Sequence, residues 1–235
     1  MGLRGVNAMK KSKLHVELLA HTPDPEVQVA RAARLCYYGK TIDELKEMMT
    51  PEKAGELVRK LVAMGHASPI EHVTFTFGIE GVSRALTHQL VRHRIASYSQ
   101  QSQRYVNGSK FGYVIPPDIE KNPNMAKAYD DFMKNCADFY EALTSNGIEQ
   151  EDARFVLPNA CDTKIIVTMN VRSLYNFFQH RCCNRAQWEI RNLAWEMLKI
   201  CKEVAPVLFE NAGPDCMIKG KCNEGAMSCG KPYKK

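Results

Sequence analysis

Hydrophobic and polar positions alternate along this chain with two periods, and each period predicts a different kind of element. Across residues 72–79, Val73, Phe75, Phe77 and Ile79 take every second position, with Thr74 and Thr76 among the residues between. A period of two puts those four side chains on one face of a half-buried strand. Residues 15–20 and the β-branched stretch 163–169 predict two more strands. Elsewhere the spacing is helical. A helix is expected over 25–36, and Thr50-Pro51 supplies an N-cap and a first-turn proline for a second. Its stripe is Leu57, Val58, Leu61 and Val62, and Gly65 ends it. A short helix is expected over 83–92. A long one opens at Asn122-Pro123, with Met125, Tyr129, Phe132, Cys136 and Leu143 on its stripe and Gly147 at its end. Helices over 151–157, 172–181 and 187–202 complete the pattern. No internal repeat and no linker precede Gly213. The expected architecture is one α/β domain, an α+β mixed sheet flanked by helices, over residues 14–212. A basic, unstructured start (1–13) and a Cys/Gly/Lys-rich tail (213–235) flank it.

Composition narrows the class without naming a function. Apolar residues make up 45% and charged residues 25% of the 235 residues, which excludes a disordered or fibrous chain. No run approaches the ~18 apolar residues of a membrane span, and no apolar segment follows the basic start as in a signal peptide. A cytoplasmic protein with reduced thiols is the expectation, although nine cysteines is a high count. Cys36, Cys136, Cys161, Cys182, Cys183 and Cys201 fall in predicted elements, where cysteine packs as a small hydrophobe. The net charge of +6 is mild. Several familiar motifs fail: Gly39-Lys40-Thr41 lacks the leading glycine of a phosphate loop, and G-x-G-x-x-G, H-E-x-x-H and G-x-S-x-G are absent.

One segment stands out. Residues 92–105, RHRIASYSQQSQRY, hold three arginines, a histidine, three serines and three glutamines. These are donors for phosphate, carbonyl and base edges. A helix reaching Arg92 would put Gln89 and Arg92 on one face. An extended 100–104 would point Gln100, Ser102 and Arg104 to one side, a serine–arginine phosphate clamp. The alternative is a solvated loop whose arginines pair with acids. No Asp or Glu lies between Glu80 and Asp118, so such acids must come from elsewhere in the fold. A second signal is Arg181, which the spacing Leu174, Phe177, Phe178, Arg181 places on an apolar helix face. A guanidinium there either meets a ligand or snorkels from the last turn, and both readings stay open. Arg154, between Ala153 and Phe155, poses the same question.

Arg92-His93-Arg94, then seven residues and Ser102, resembles the signature of the flavin-dependent (alternative) thymidylate synthases. His66-Ala67-Ser68-Pro69 with Glu71-His72, Phe75-Thr76-Phe77, Asn170-x-Arg172-Ser173-Leu174-x-Asn176, and Arg181 followed by Gln187-Trp188-Glu189 extend the likeness over roughly 14–210. The resemblance implies a methyltransferase of nucleotide biosynthesis making dTMP from dUMP. Methylenetetrahydrofolate would give the carbon and NADPH would reduce a bound FAD, with no cysteine nucleophile. By the same matching Arg181 is the catalytic, uracil-polarising residue. Gln89, Arg92, Gln100, Gln101, Ser102, Gln103, Arg104, Arg154 and Arg181 hold dUMP. Ser68, Arg92, His93, Arg94, Gln100, Asn170, Arg172 and Asn176 hold FAD. Ser99 and Gln100 stand where the family often has Asn and Glu. The family implies a homotetramer with sites shared between subunits, and neither nucleic acid nor membrane as partner.

Two rivals are weighed against this reading. An RNA-binding protein could use the arginines with Tyr98 and Tyr105, yet no RNA-binding motif is present. A cysteine-dependent thymidylate synthase needs a Pro-Cys-His segment, which is absent. In the tail, Cys216, Cys222 and Cys229 lack the C-x2-C spacing of a zinc site and read as free thiols, so no metal is expected.

Overall fold

The computed structural model describes residues 9–233. Residues 1–8 of the expected basic start lie outside it. In chain order the elements are β1 (His15–His21), α1 (Pro25–Leu35), α2 (Ile42–Met48), α3 (Pro51–Ala63), β2 (Thr74–Ser83), α4 (Arg84–Leu90) and β3 (Ser97–Gln100). They continue with α5 (Pro117–Glu120), α6 (Pro123–Ser145), α7 (Gln150–Ala153), β4 (Asp162–Asn170), α8 (Val171–Arg181), α9 (Trp188–Val204) and α10 (Asp215–Lys219). The strands form a four-stranded sheet in the order β1-β2-β4-β3. Val171 N donates to Val73 O and Arg84 N to Cys161 O, so residue numbers rise on β2 as they fall on β4 and the pair is antiparallel. Among the described residues no helix is long and apolar enough to cross a membrane.

The chain packs as two compact units, each drawn from interleaved segments, so no boundary in sequence separates them. The first takes the described residues up to His15 with Ile79–Val91 and Ser99–Ile166, and the second takes Val16–Gly78, Arg92–Tyr98 and the described residues from Val167 onward. In the first unit, Val82, Leu86, Leu90, Met133, Ala137, Tyr140 and Ile165 are buried. The stripe expected for α6 is corrected here: Met125 and Phe132 are exposed, and the packed face is Met133, Ala137 and Tyr140. Of the expected frayed start, the described part around residues 10–12 is corrected as well, because Ser12 N donates to Tyr113 O and Tyr113 N donates to Lys10 O. Lys13 runs so close to Gly81 (φ 68°) that a Cβ there would meet the lysine carbonyl at 2.0 Å, and only glycine fits.

The second unit is built round aromatic rings. Phe75 and Phe77 of β2, Phe177 and Phe178 of α8, and Phe209 are fully buried. Phe209 meets Phe75 edge-on at 5.4 Å and Phe178 at 6.1 Å, and Phe178 leads to Phe177 at 5.7 Å. The series ends at His93, edge-on to Phe177 at 5.0 Å. Helix α3 forms as its caps predict, with Thr50 Oγ accepting from Lys53 N. Helix α2 was not predicted. Its Thr41–Glu44 capping box, with Thr41 N donating to Glu44 at 2.9 Å, was the available signal. The cysteines divide: Cys161, Cys182 and Cys201 are buried as expected, whereas Cys36 is exposed and Cys183 half-buried, and all nine are free thiols.

Candidate active site

In the first unit the polar segment is tied down residue by residue. Gln100, at the end of β3, donates from Nε2 to Thr87 Oγ1 at 3.0 Å and to Thr163 Oγ1 at 3.4 Å. Gln101 N donates to Lys164 O at 2.9 Å, and its carbonyl accepts from Arg84 Nη2 at 3.2 Å. The chain then turns instead of staying extended: Ser102 Oγ accepts from Arg104 N at 3.1 Å and Ser102 O from Val106 N. Gln103 and Arg104 lie in that turn, so the one-sided Gln100, Ser102, Arg104 clamp does not form by strand alternation. Arg104 finds its acid in Glu151, at 2.9 Å. Arg154 donates from Nε to the Glu151 carbonyl at 3.0 Å. Gln89 reaches its own helix at Ala85 O. Because α4 ends at Leu90, Gln89 and Arg92 do not share a helical face.

Sequence reasoning missed Arg84 and Glu151. Burial, with the Arg154 charge also lowering it, holds the Arg84 guanidinium below the usual arginine range, and its Nε is buried without a partner. Glu151 carried no signal beyond an acidic first turn, an ordinary helix feature.

The second unit contains a cavity of about 1120 Å³. Arg92, His93, Arg94, Asn170, Arg172, Asn176 and Arg181 all line it, so the structure gathers these expected cofactor and catalytic residues. Ser68 is not among the lining residues; it is exposed, just before a 3-10 turn (Pro69–His72). Asn170 caps α8, its Oδ1 accepting from Ser173 N at 2.9 Å, which fixes where β4 gives way to the helix. Arg172 is paired with Glu71. Arg185, with Arg92, Arg94, Arg172 and Arg181, makes five guanidiniums on one lining.

Arg181 is part of this lining. Leu174, Phe177 and Phe178 bury the face it shares, as the spacing predicted. Its Nε donates to His93 Nε2 at 3.0 Å, which leaves the His93 proton on Nδ1. Burial, then the charge of Arg92, lowers the Arg181 guanidinium, and two neighbouring guanidiniums are best compensated by an anion. Burial first, then Arg181 and His180, pulls the His93 imidazole down to about 4 from the ordinary 6.5. The unfolded chain therefore takes up this proton before the folded one does. Stability from this group is full above pH 6.5 and declines as pH falls from 6.5 towards 4. Thermal unfolding should show a smaller decline over that window in His93→Asn than in the parent, and equal declines would clear His93 of the effect.

A flavin dinucleotide carries a pyrophosphate on an extended body, and the lining suits it. Guanidiniums and the amides of Asn170 and Asn176 supply donors, while the three lining carboxylates are engaged. Glu71 is held by Arg172, Glu224 by Arg185, and Asp215 by Lys219.

Residues 17–207 match the family model described as thymidylate synthase complementing protein. A flavin-dependent thymidylate synthase from Geobacter sulfurreducens is 56% identical over 220 residues, covering 93% of this chain and 94% of that protein. Another from Clostridium tetani is 53% identical, covering 94% and 95%. Among solved structures, the UMP/dUMP methylase PolB from Streptomyces cacaoi, bound with 5-Br dUMP, aligns with a TM-score of 0.76 at 24% identity. That alignment covers 86% of this chain and 95% of that one, and shows a shared fold.

Proposed function

Because this chain belongs to the flavin-dependent thymidylate synthases, which methylate dUMP, we propose that it makes dTMP in the cytoplasm from dUMP, methylenetetrahydrofolate and NADPH. The single observation that carries this reading is Arg181, a guanidinium on an apolar helix face delivered into an arginine-lined cavity and steered by His93. In this reading FAD occupies the cavity, and when bound it supplies the hydride.

The chain's own groups do the rest. Arg92, Arg94 and Arg172 neutralise the pyrophosphate, with Asn170 and Asn176 as amide donors and His93 kept neutral as the acceptor that aims Arg181. Arg181 places fixed positive charge where negative charge develops on the uracil ring. Gln89, Gln100, Gln101, Ser102, Gln103, Arg104 and Arg154 hold the nucleotide together with Arg92 and Arg181, Ser102 and Arg104 at its phosphate. Gln100 and Ser68 also serve the cofactor. The assembly is a homotetramer with sites shared between subunits, so the residues round one nucleotide need not come from one chain. The reading has no cysteine nucleophile, in keeping with thiols such as Cys161 and Cys182, which burial pushes up to about 12.

The test is an assay of dTMP formation from dUMP with methylenetetrahydrofolate and NADPH, with and without added FAD. The expected protein is yellow and oxidises NADPH faster when dUMP is present. A colourless protein that takes up no FAD, yet binds RNA with a steep salt dependence, would defeat the reading in favour of an RNA-binding role.

A further inference from the structure

The tail beyond Gly213 lies past the end of the family match at residue 207. Yet Pro214, Asp215, Cys216, Cys222, Asn223 and Glu224 all line the same cavity as Arg181. The tail is also fastened there. Asp215 accepts from Gln179 Nε2 at 3.1 Å, two residues before Arg181 on α8, and from Asn223 Nδ2 and Lys219 Nζ. Arg185 grips Glu224 at 3.0 Å. Further along, Asn184 donates to Lys231 O at 2.8 Å and accepts from Tyr233 Oη at 2.8 Å, and the Tyr233 ring meets Trp195 edge-on. A solvated tail would not need these five fastenings to α8, α9 and the loop between them.

We propose that residues 214–224 are a wall of the ligand site, retaining a flavin dinucleotide in the arginine-lined cavity, with Asp215 as the positioning residue that fixes this wall to α8. The proposal rests on the reading that the cavity takes FAD. The cationic lining holds the anionic part of the ligand, and the tail contributes the side chains of Cys216 and Cys222 and the amide of Asn223. Burial raises the Asp215 carboxyl, but its hydrogen bonds from Lys219, Asn223 and Gln179 outweigh that and hold it below the usual range, so it stays an anionic anchor at neutral pH. Cys216 and Cys222 thus find a place as cavity lining, with free thiols.

The experiment uses the full chain and its native thiols. Protein with and without FAD is labelled with N-ethylmaleimide, and each cysteine is read by peptide mass spectrometry. FAD should slow labelling of Cys216 and Cys222 about tenfold or more, while exposed Cys36 labels at an unchanged rate. Separately, Asp215→Asn should weaken FAD binding about tenfold in a titration read by flavin fluorescence, and Asp215→Glu should recover part of it. Bound FAD with unchanged labelling of both tail cysteines overturns the wall and leaves the flavin reading intact. Failure to bind FAD at all overturns that reading, and this inference with it.

Discussion

Arg181→Ala is expected to keep its flavin and lose about 10²–10³-fold in the rate of dTMP formation. The size follows from what the side chain does in the proposed reaction. A fixed donor aimed at developing charge stabilises the transition state more than the ground state, so its loss falls on kcat more than on KM. Retention of flavin follows from the rest of the lining, where Arg92, Arg94, Arg172 and Arg185 remain. His93 supplies an internal control. It loses the Arg181 charge while keeping its burial, the larger cause of its depression, so its pKa should rise part of the way from about 4 towards 6.5. Proton NMR of the imidazole reads this apart from any assay. Arg181→Lys keeps the charge but not the planar fork that meets His93, and should fall between the two. Full turnover by the alanine variant would remove Arg181 from the reaction. Loss of flavin alongside activity would make it a cofactor-holding residue instead.

Phe209→Ala should destabilise the protein by about 3–5 kcal/mol. Phe209 is fully buried and touches the rings of Phe75, Tyr175 and Phe178. Truncation leaves a cavity among rings that β2 and α8 cannot easily close, because both run on into further packed or hydrogen-bonded residues. For a chain of this length each kcal/mol moves the midpoint by about 2–4 °C, so a fall of roughly 6–20 °C is expected. Differential scanning calorimetry checks it, and a fall under about 2 °C would show that Phe209 is not the keystone its contacts indicate. Residue 209 also lies just past the family match, so the core that seats the cavity continues beyond that span.

How much of this was legible in the sequence depends on how local each feature is. Strand β2 was readable because period two is a property of adjacent residues, and Val73, Phe75, Phe77 and Ile79 are all buried. Caps were readable for the same reason, at Thr50 and Asn122. The buried face of α6 was misread because two sets of residues share helical spacing. Met125 and Phe132 suit a stripe as well as Met133, Ala137 and Tyr140 do, and only the partner elements choose between them. The turn at 103–105 was missed because a run of Ser and Gln has no period, while its side-chain and backbone bonds to Ser102 set the bend.

The candidate site divides along the same line. Sequence by itself determined that the 92–105 segment is rich in anion-binding groups, that Arg181 shares an apolar face, and that both fit one family's signature. Tertiary structure alone decided who meets whom. It sets Arg181 against His93 across 88 positions and Arg172 against Glu71 across 101. It gives Arg104 its acid in Glu151 and brings Cys216 and Cys222 of an unpatterned tail into the cavity lining. Period and capping record only the few residues on either side of a position. Long-range meetings arise when buried faces close large loops of chain, and no local pattern carries that information.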